Sequence, residues 1–404
     1  MSQTEVQLIK SSSVVDGDIV GMSSSKLSGA LPAISGASLT NLPTPTGKVR
    51  NLIINGAMQV AQRGTSSTST GFQTVDRFNG TYTGTDEALT FSQADVASGT
   101  TPYTLGFRKS FKITNGNQTS GAGAADKIQI YYGVEDQDLA TSGWNYTSAS
   151  SFVTFSFWVK SSVAQNFYGF FQSDNGSQYR YPFETGSLTA DTWTKVTKTI
   201  PGNSNIVLNN DNGAGMYINI YPFIGTDETN NSVTLNQWMA LDNTARTPDY
   251  TSTWYTTNDA TFEFTGVQLE VGSVATDFEH RSIGQELALC QRYFYMHVAG
   301  TNVNGNDEDK AICTAVRWDN SNFYGTIFFP VYMRAKPTIY SSLGTDRILF
   351  YKVGSTDGVD SIGIQTMGYA NGVFSFSGGV SSSAPNGWMQ LNNNDAYIGF
   401  NAEL

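Results

Sequence analysis

The chain has 404 residues, room for roughly two or three domains and an ample buried core. Its charged content is 14% and its formal net charge −11, so an acidic surface repels phosphate backbones and anionic bilayers, and neither nucleic acid nor membrane insertion is expected. Two cysteines, Cys290 and Cys313, are too few for a disulfide framework or a four-thiolate zinc site, no signal-peptide pattern or long apolar run occurs, and no cofactor is expected.

Residues 1–47 stand apart. They carry serine runs, the stretch Leu31-Pro32-Ala33-Ile34-Ser35-Gly36, and no aromatic residue, the first being Phe72. Such a segment cannot offset its own ordering entropy as an isolated monomer. Scattered Val14, Ile19, Leu27, Leu31, Ile34, Leu39 and Leu42 would give a thin shared core if several copies wrapped together; a flexible tail is the plainer alternative.

From Lys48 the chain turns aromatic and β-branched, with Gly, Asn, Asp and Pro between short runs, and an all-β fold is expected. Asn51 to Gln62 reads as a first strand. Val153, Phe155, Phe157 and Val159 alternate with Thr154, Ser156, Trp158 and Lys160, which predicts a strand with one face in the core. Phe167–Phe171, Thr192–Ile200 and Met216–Phe223 read as further strands, and residues 209–213 as a turn. Phe262 and Phe264 share one parity, Val267, Leu269 and Val271 the other, so a β-bulge is predicted at Gly266. Ser282 and Gln285 have the spacing of a capping box, and Ile283, Leu287 and Cys290 would form one face of a short hinge helix. Beyond it, runs beginning at Cys313, Phe323, Thr338, Arg347, Ile362, Gly372 and Ala396 predict a small β-sandwich. The expected organisation is residues 1–47 attachment segment, 48–281 first β domain, 282–295 hinge helix, 296–404 terminal β domain. No repeat of fixed period points to a propeller or solenoid.

Chemistry-bearing motifs are sparse. Only His280 and His297 could serve a catalytic triad, and no nucleophile elbow, phosphate loop or metalloprotease helix occurs. Carboxylates cluster at Glu135, Asp136 and Asp138 and at Asp307, Glu308 and Asp309; two acids could hydrolyse a glycoside, but such clusters are the rule in solvated turns, so a non-catalytic protein is expected. Asn209, Asn210, Asp211 and Asn212 would make at most a weak calcium loop. Sugar binding asks only for an exposed aromatic plane beside amides and carboxylates. Three places in the terminal region offer that pairing at turns: Trp318, Asp319 and Asn320; Tyr369 and Asn371; Asn386 and Trp388.

Several phrases resemble a known module. Asn51-Leu52-Ile53-Ile54-Asn55-Gly56-Ala57-Met58-Gln59-Val60, then Gln62-Arg63-Gly64 and Asp76-Arg77-Phe78, are similar to the opening of a jelly-roll module of bacteriophage structural and tail-fibre proteins. Gly266-Val267-Gln268-Leu269-Glu270-Val271-Gly272, Asp277-Phe278-Glu279 and Glu286-Leu287-Ala288-Leu289-Cys290-Gln291-Arg292-Tyr293-Phe294 resemble its close. The resemblance implies a carbohydrate-binding-like jelly roll at 48–281 within a homotrimeric tail fibre. Residues 1–47 would be its stalk, docked on adaptor or nozzle proteins of the tail, and a distal tip, opening near Phe329-Pro330-Val331-Tyr332-Met333-Arg334, would contact a host cell-surface glycan. It further implies a virion location after assembly in the host cytoplasm. A capsid-attached fibre or decoration protein and a polysaccharide depolymerase are the alternatives.

Overall fold

The computed structural model describes residues 50–304, 310–352, 355–378 and 386–404, all of which lie within one compact unit, Val49–Leu404. The expectations for residues 1–47 and for Asp307, Glu308 and Asp309 lie outside the described residues. The fold is all-β, as expected.

The first β region runs β1 (Ser66–Ser67), β2 (Asn79–Thr83), β3 (Thr90–Asp95), β4 (Lys109–Thr114), β5 (Lys127–Glu135), β6 (Phe152–Ser161), β7 (Tyr168–Ser173), β8 (Tyr179–Glu184), β9 (Thr194–Pro201), β10 (Ala214–Ile224), β11 (Met239–Ala240) and β12 (Thr261–Val271). The chain passes back and forth between two antiparallel sheets, ordered β1-β3-β4-β12-β6-β9 and β11-β8-β7-β10-β5-β2, in jelly-roll fashion. Alternation explains the packing. Val153, Phe155, Phe157 and Val159 of β6 are wholly buried, and Phe155 meets Phe171 and Phe183 of the facing sheet edge-on, its ring centroid 5.1 Å from that of Phe171.

The predicted bulge is there. β12 slips register against β6 between Thr265 and Gln268, and Gly266 takes φ +63°, where a Cβ would lie 2.6 Å from the Phe107 ring. What fills the slipped ladder is the segment read from sequence as a first strand, and that expectation is corrected: residues 51–62 form a turn, not a strand. Asn55 and Met58 have φ of 62° and 59°, and Met58 N–H donates to Asn55 O at 2.8 Å. The Asn51 amide donates to Val267 O at 3.0 Å and accepts from Leu269 N–H at 3.0 Å, standing in for a strand neighbour at the bulge. Asn55 does the same for Val60, accepting from its N–H and donating to its carbonyl. Side-chain amides therefore replace ladder bonds here, which satisfies the buried backbone without strand geometry.

The capping box forms as predicted: Ser282 Oγ accepts from Gln285 N–H, and the Gln285 side chain accepts from Ser282 N–H, opening a helix at Ile283–Gln291. Its inward face holds Cys290 and Leu287 as predicted, but Ile283 is 57% exposed and Glu286 is buried in its place, because the Glu286 carboxylate accepts from Asn55 N–H and pairs with Arg281. The chain returns to strand at Phe294, inside the stretch expected to be helical.

The second region holds β13 (Phe294–Ala299), β14 (Ala311–Arg317), β15 (Asn322–Phe328), β16 (Thr338–Ser342), β17 (Ile348–Lys352), β18 (Ser355–Val359), β19 (Ser361–Met367), β20 (Asn371–Ser377), β21 (Asn386–Leu391) and β22 (Tyr397–Asn401). A three-stranded sheet, β13-β22-β16, packs through Val298, Ile398 and Phe400 on one face of a seven-stranded sheet, β18-β17-β21-β14-β15-β20-β19.

Charged and polar groups join the two sandwiches. Glu403 lies against Arg63, 3.3 Å away, and against Arg77, and all three side chains are buried. Arg77 also donates to Gly133 O at 2.7 Å and stacks on Tyr293, 3.5 Å from the ring centre. Glu135 binds Arg292 through both oxygens and accepts from Tyr293 O–H at 2.5 Å.

Candidate functional site

The seven-stranded sheet has an uncovered face. In β21, Met389 and Leu391 point into the core, so Asn386, Trp388 and Gln390 point outward; in β14 Ala315 is inward and Thr314 and Val316 outward; in β15 Phe323, Gly325 and Ile327 are inward and Tyr324, Thr326 and Phe328 outward. The registers place these side chains next to one another: Trp388 between Tyr351 and Thr314, Val316 between Asn386 and Tyr324, Thr326 beside Val373.

They line a shallow groove of about 730 Å³. Its aromatic borders are two stacked pairs. Trp388 lies parallel to Tyr351 at 5.1 Å (0° between planes), and Trp318 lies on Tyr324 at 5.4 Å (10°). Exposure is high for such side chains, 70% for Phe328, 69% for Trp318, 56% for Val316 and 49% for Trp388. Apolar surface of this extent, rimmed by polar groups, marks binding faces more often than inert ones. No charged side chain lines the groove, and the hydroxyls of Thr314 and Thr326, the Asn386 amide and the Trp388 indole N–H have no hydrogen-bond partner among the described residues.

Trp318, Asn386 and Trp388, predicted from sequence, therefore fall on one face, but not as predicted. Asn386-Gly387-Trp388 is not a turn. It opens β21, because Gly387 packs where a Cβ would be 2.0 Å from Tyr351 O and 2.7 Å from the Phe350 ring, an approach only glycine permits. Asp319 and Asn320 do sit at the β14–β15 turn. The Asp319 carboxylate is engaged there, accepting from Ser321 N–H at 2.7 Å and Asn322 N–H at 2.8 Å, bonds that hold its carboxyl below the usual range. It shapes the hairpin that carries Trp318. Asn320 O accepts from Arg317 at 3.1 Å.

Tyr369 and Asn371 lie toward the opposite end of the sheet from Trp318. Tyr369 is in the turn before β20 and stacks on Tyr332 at 5.1 Å, while Asn371 is in β20, on the outward face and paired with the groove-lining Phe328. That is the far end of β15, a seven-residue strand, and so about 20 Å from the Trp318 turn.

Most polar groups of the clusters at 135–138 and 209–212 are engaged in the structure. Glu135 holds Arg292 and Tyr293, and Asp136 accepts from Asn175 and from the N–H groups of Asn209 and Asn210. Asn212 exchanges hydrogen bonds with Arg334. His297 bonds Ile312 O at 2.7 Å, and burial lowers its pKa; His280 bonds Leu105 O at 2.9 Å.

No family model and no curated protein matches the chain. Solved structures similar to it include the enzymatically active domain of bacteriophage CBA120 tailspike protein 4 (11% identity, TM-score 0.30), matched over 55% of this chain and 21% of that one. Others are the family 11 carbohydrate-binding module of Clostridium thermocellum in complex with a mixed-linked tetrasaccharide (12%, 0.24; 53% and 99%) and the N-terminal cellulose-binding domain of Cellulomonas fimi β-1,4-glucanase C (10%, 0.25; 54% and 99%). The chain spans about a fifth of the tailspike domain's length. At these scores no function carries over from them.

Sequence alone missed Tyr324, Tyr351, Val316 and Phe328. Each lies in a strand that reads as core or edge until its register is known, and the one local signal was the alternation of Tyr324, Thr326 and Phe328 with Phe323, Gly325 and Ile327.

Proposed function

We propose that the chain is a non-catalytic structural protein of a bacteriophage particle, a homotrimeric tail fibre that adsorbs to the host by binding surface glycans. Residues 1–47 dock it on adaptor or nozzle proteins of the tail, and the outward face of the seven-stranded sheet meets the sugar. What supports this reading most is the uncharged groove between the Trp388–Tyr351 and Trp318–Tyr324 stacks. Parallel aromatic planes suit the apolar faces of pyranose rings, and free amide and hydroxyl groups between them suit ring hydroxyls. Each contact is weak; three copies on one axis raise the effective affinity without any new contact.

The test is competition. Added full-length chain should block adsorption of the phage that carries it, and Trp388→Ala chain should not. Failure of the unaltered chain to block removes the receptor-binding claim. A solution mass near 43.8 kDa, the mass of one chain, removes the trimer. Shortened host polysaccharide after incubation removes the non-catalytic claim.

A further inference from the structure

A second groove, of about 510 Å³, lies on the outer face of the first sandwich, and nothing above assigns it a role. Its floor is a cluster of rings. Phe107, Phe278 and His280 meet pairwise at 4.9 to 5.2 Å. Two glycines in left-handed conformations make room for them: a Cβ on Gly266 would meet Phe107 at 2.6 Å, and one on Gly106 would meet His280 at 3.0 Å. One wall is built from β6 and β9, whose register sets Trp158 beside Lys195, with Ser156 two residues along the same face.

Several polar groups of that face are paired: Lys160 with Glu263 at 3.0 Å, Ser110 with Glu263, Thr265 with Lys109 O, Gln268 with Glu270, Thr154 with Gly272 O. At the groove, the Ser156 hydroxyl, the Trp158 indole N–H, the Lys195 ammonium and the Asp277 carboxylate have no partner among the described residues. Ser156 is only 3% exposed, but its hydroxyl oxygen is not itself fully buried, so it opens onto the groove, where water or a ligand can supply the bond. An aromatic floor with convergent unpaired polar groups is the usual make-up of a small-molecule site.

We infer that this groove is a second sugar-binding site and that it prefers a pyranoside bearing a carboxylate. Three of the four free groups are donors, one of them cationic, and an acidic sugar offers them acceptors. Asp277 is left to accept from a ring hydroxyl. The first groove has no charged lining, so the two sites differ in ligand class. Because Lys195 is exposed, its charge sets a preference of a few-fold and not an absolute requirement.

The full-length chain, labelled with fluorotryptophan at its seven tryptophans, would be titrated with methyl glucuronide and methyl glucoside and followed by fluorine NMR. The Trp158 resonance should shift and saturate at millimolar glucuronide and respond several-fold more weakly to glucoside. Lys195→Gln, a substitution at an exposed position, should make the two sugars equal. A Trp158 resonance that moves with neither sugar overturns the site, and equal responses in the unaltered chain overturn the acid preference. Movement of Trp388 alone would uphold the first groove and sink this one; movement of Trp158 alone would do the reverse.

Discussion

In the first sandwich much of the outer face of the central strands is covered. Tyr221 and Phe170 on the outside of one sheet, and Gln268 and Glu270 on the outside of the other, are buried, with Tyr250 bonded over the first pair and Thr276 and Glu279 over the second. In the second sandwich three strands cover one side of the seven-stranded sheet, and on the other Trp388, Val316, Tyr324 and Phe328 look outward with no second layer over them among the described residues beyond the stacked rings of Tyr351 and Trp318. The two regions have similar shares of aromatic residues and use them oppositely. The first puts its aromatics into a body that holds shape; the second leaves a row of them bare, and bare apolar surface persists where something binds it.

Glu403 gives the largest expected effect on that contrast. It belongs to the second region's last residues, yet its carboxylate compensates Arg63 and Arg77 of the first, both buried. Glu403→Gln removes the carboxylate that both guanidiniums lie against and leaves Arg63 only the Asp76 charge, and breaking a buried pair this way costs about 3–5 kcal/mol. Urea unfolding should show that loss, together with separation of one transition into two as the sandwiches uncouple. A loss below about 1 kcal/mol would mean that the pair is hydrated in solution and that the regions are joined by other contacts.

Next in size is a pH effect confined to the first region. Burial pushes the Asp76 carboxyl up from 3.8 to about 6, against Arg63 and the Gln62 hydrogen bonds, which pull it down. A raised carboxyl pKa means that the folded state holds the proton more tightly than the unfolded one. Its contribution to stability is complete below pH 3.8 and is lost as pH rises to about 6, beyond which it stays constant. The span corresponds to about 3 kcal/mol. Asp76→Asn should remove that slope between those pH values while leaving the others, which unfolding free energies measured across the range would register. An unchanged slope in the variant would place the titration on another group.

How much of this was legible in the sequence follows the range of the interactions. The core parity of Val153 to Val159, the bulge at Gly266 and the Ser282 capping box are decided within a few residues, and each is where the sequence puts it. Residues 51–62 look like a strand because their partners are invisible locally: Asn51 bonds Val267 and Leu269, more than two hundred positions away, and amides there do the work of a neighbouring strand. Asn386-Gly387 has turn composition, but the glycine is required by the Phe350 ring beneath it, a fact of sheet register. Trp318 and Trp388 were visible as aromatics beside amides. That they share a face with Tyr324 and Tyr351 was not, since strand pairing between residues far apart sets it.

The smallest expected change in stability makes the sharpest test of the contrast. Trp388 is half exposed, stacks on one partner and has no bond to its indole N–H among the described residues. If its face exists for a ligand, the side chain contributes little to folding, and Trp388→Ala should alter the unfolding free energy by no more than about 0.5 kcal/mol, the range of surface substitutions. A buried aromatic of the first region behaves differently: Phe155→Ala should cost about 3–5 kcal/mol. Measured side by side by chemical denaturation, the two values separate the roles of the same residue class. A cost for Trp388→Ala near that of Phe155→Ala would mean that the face is covered in solution, by another copy of the chain, and that the groove is an interface and not a sugar site.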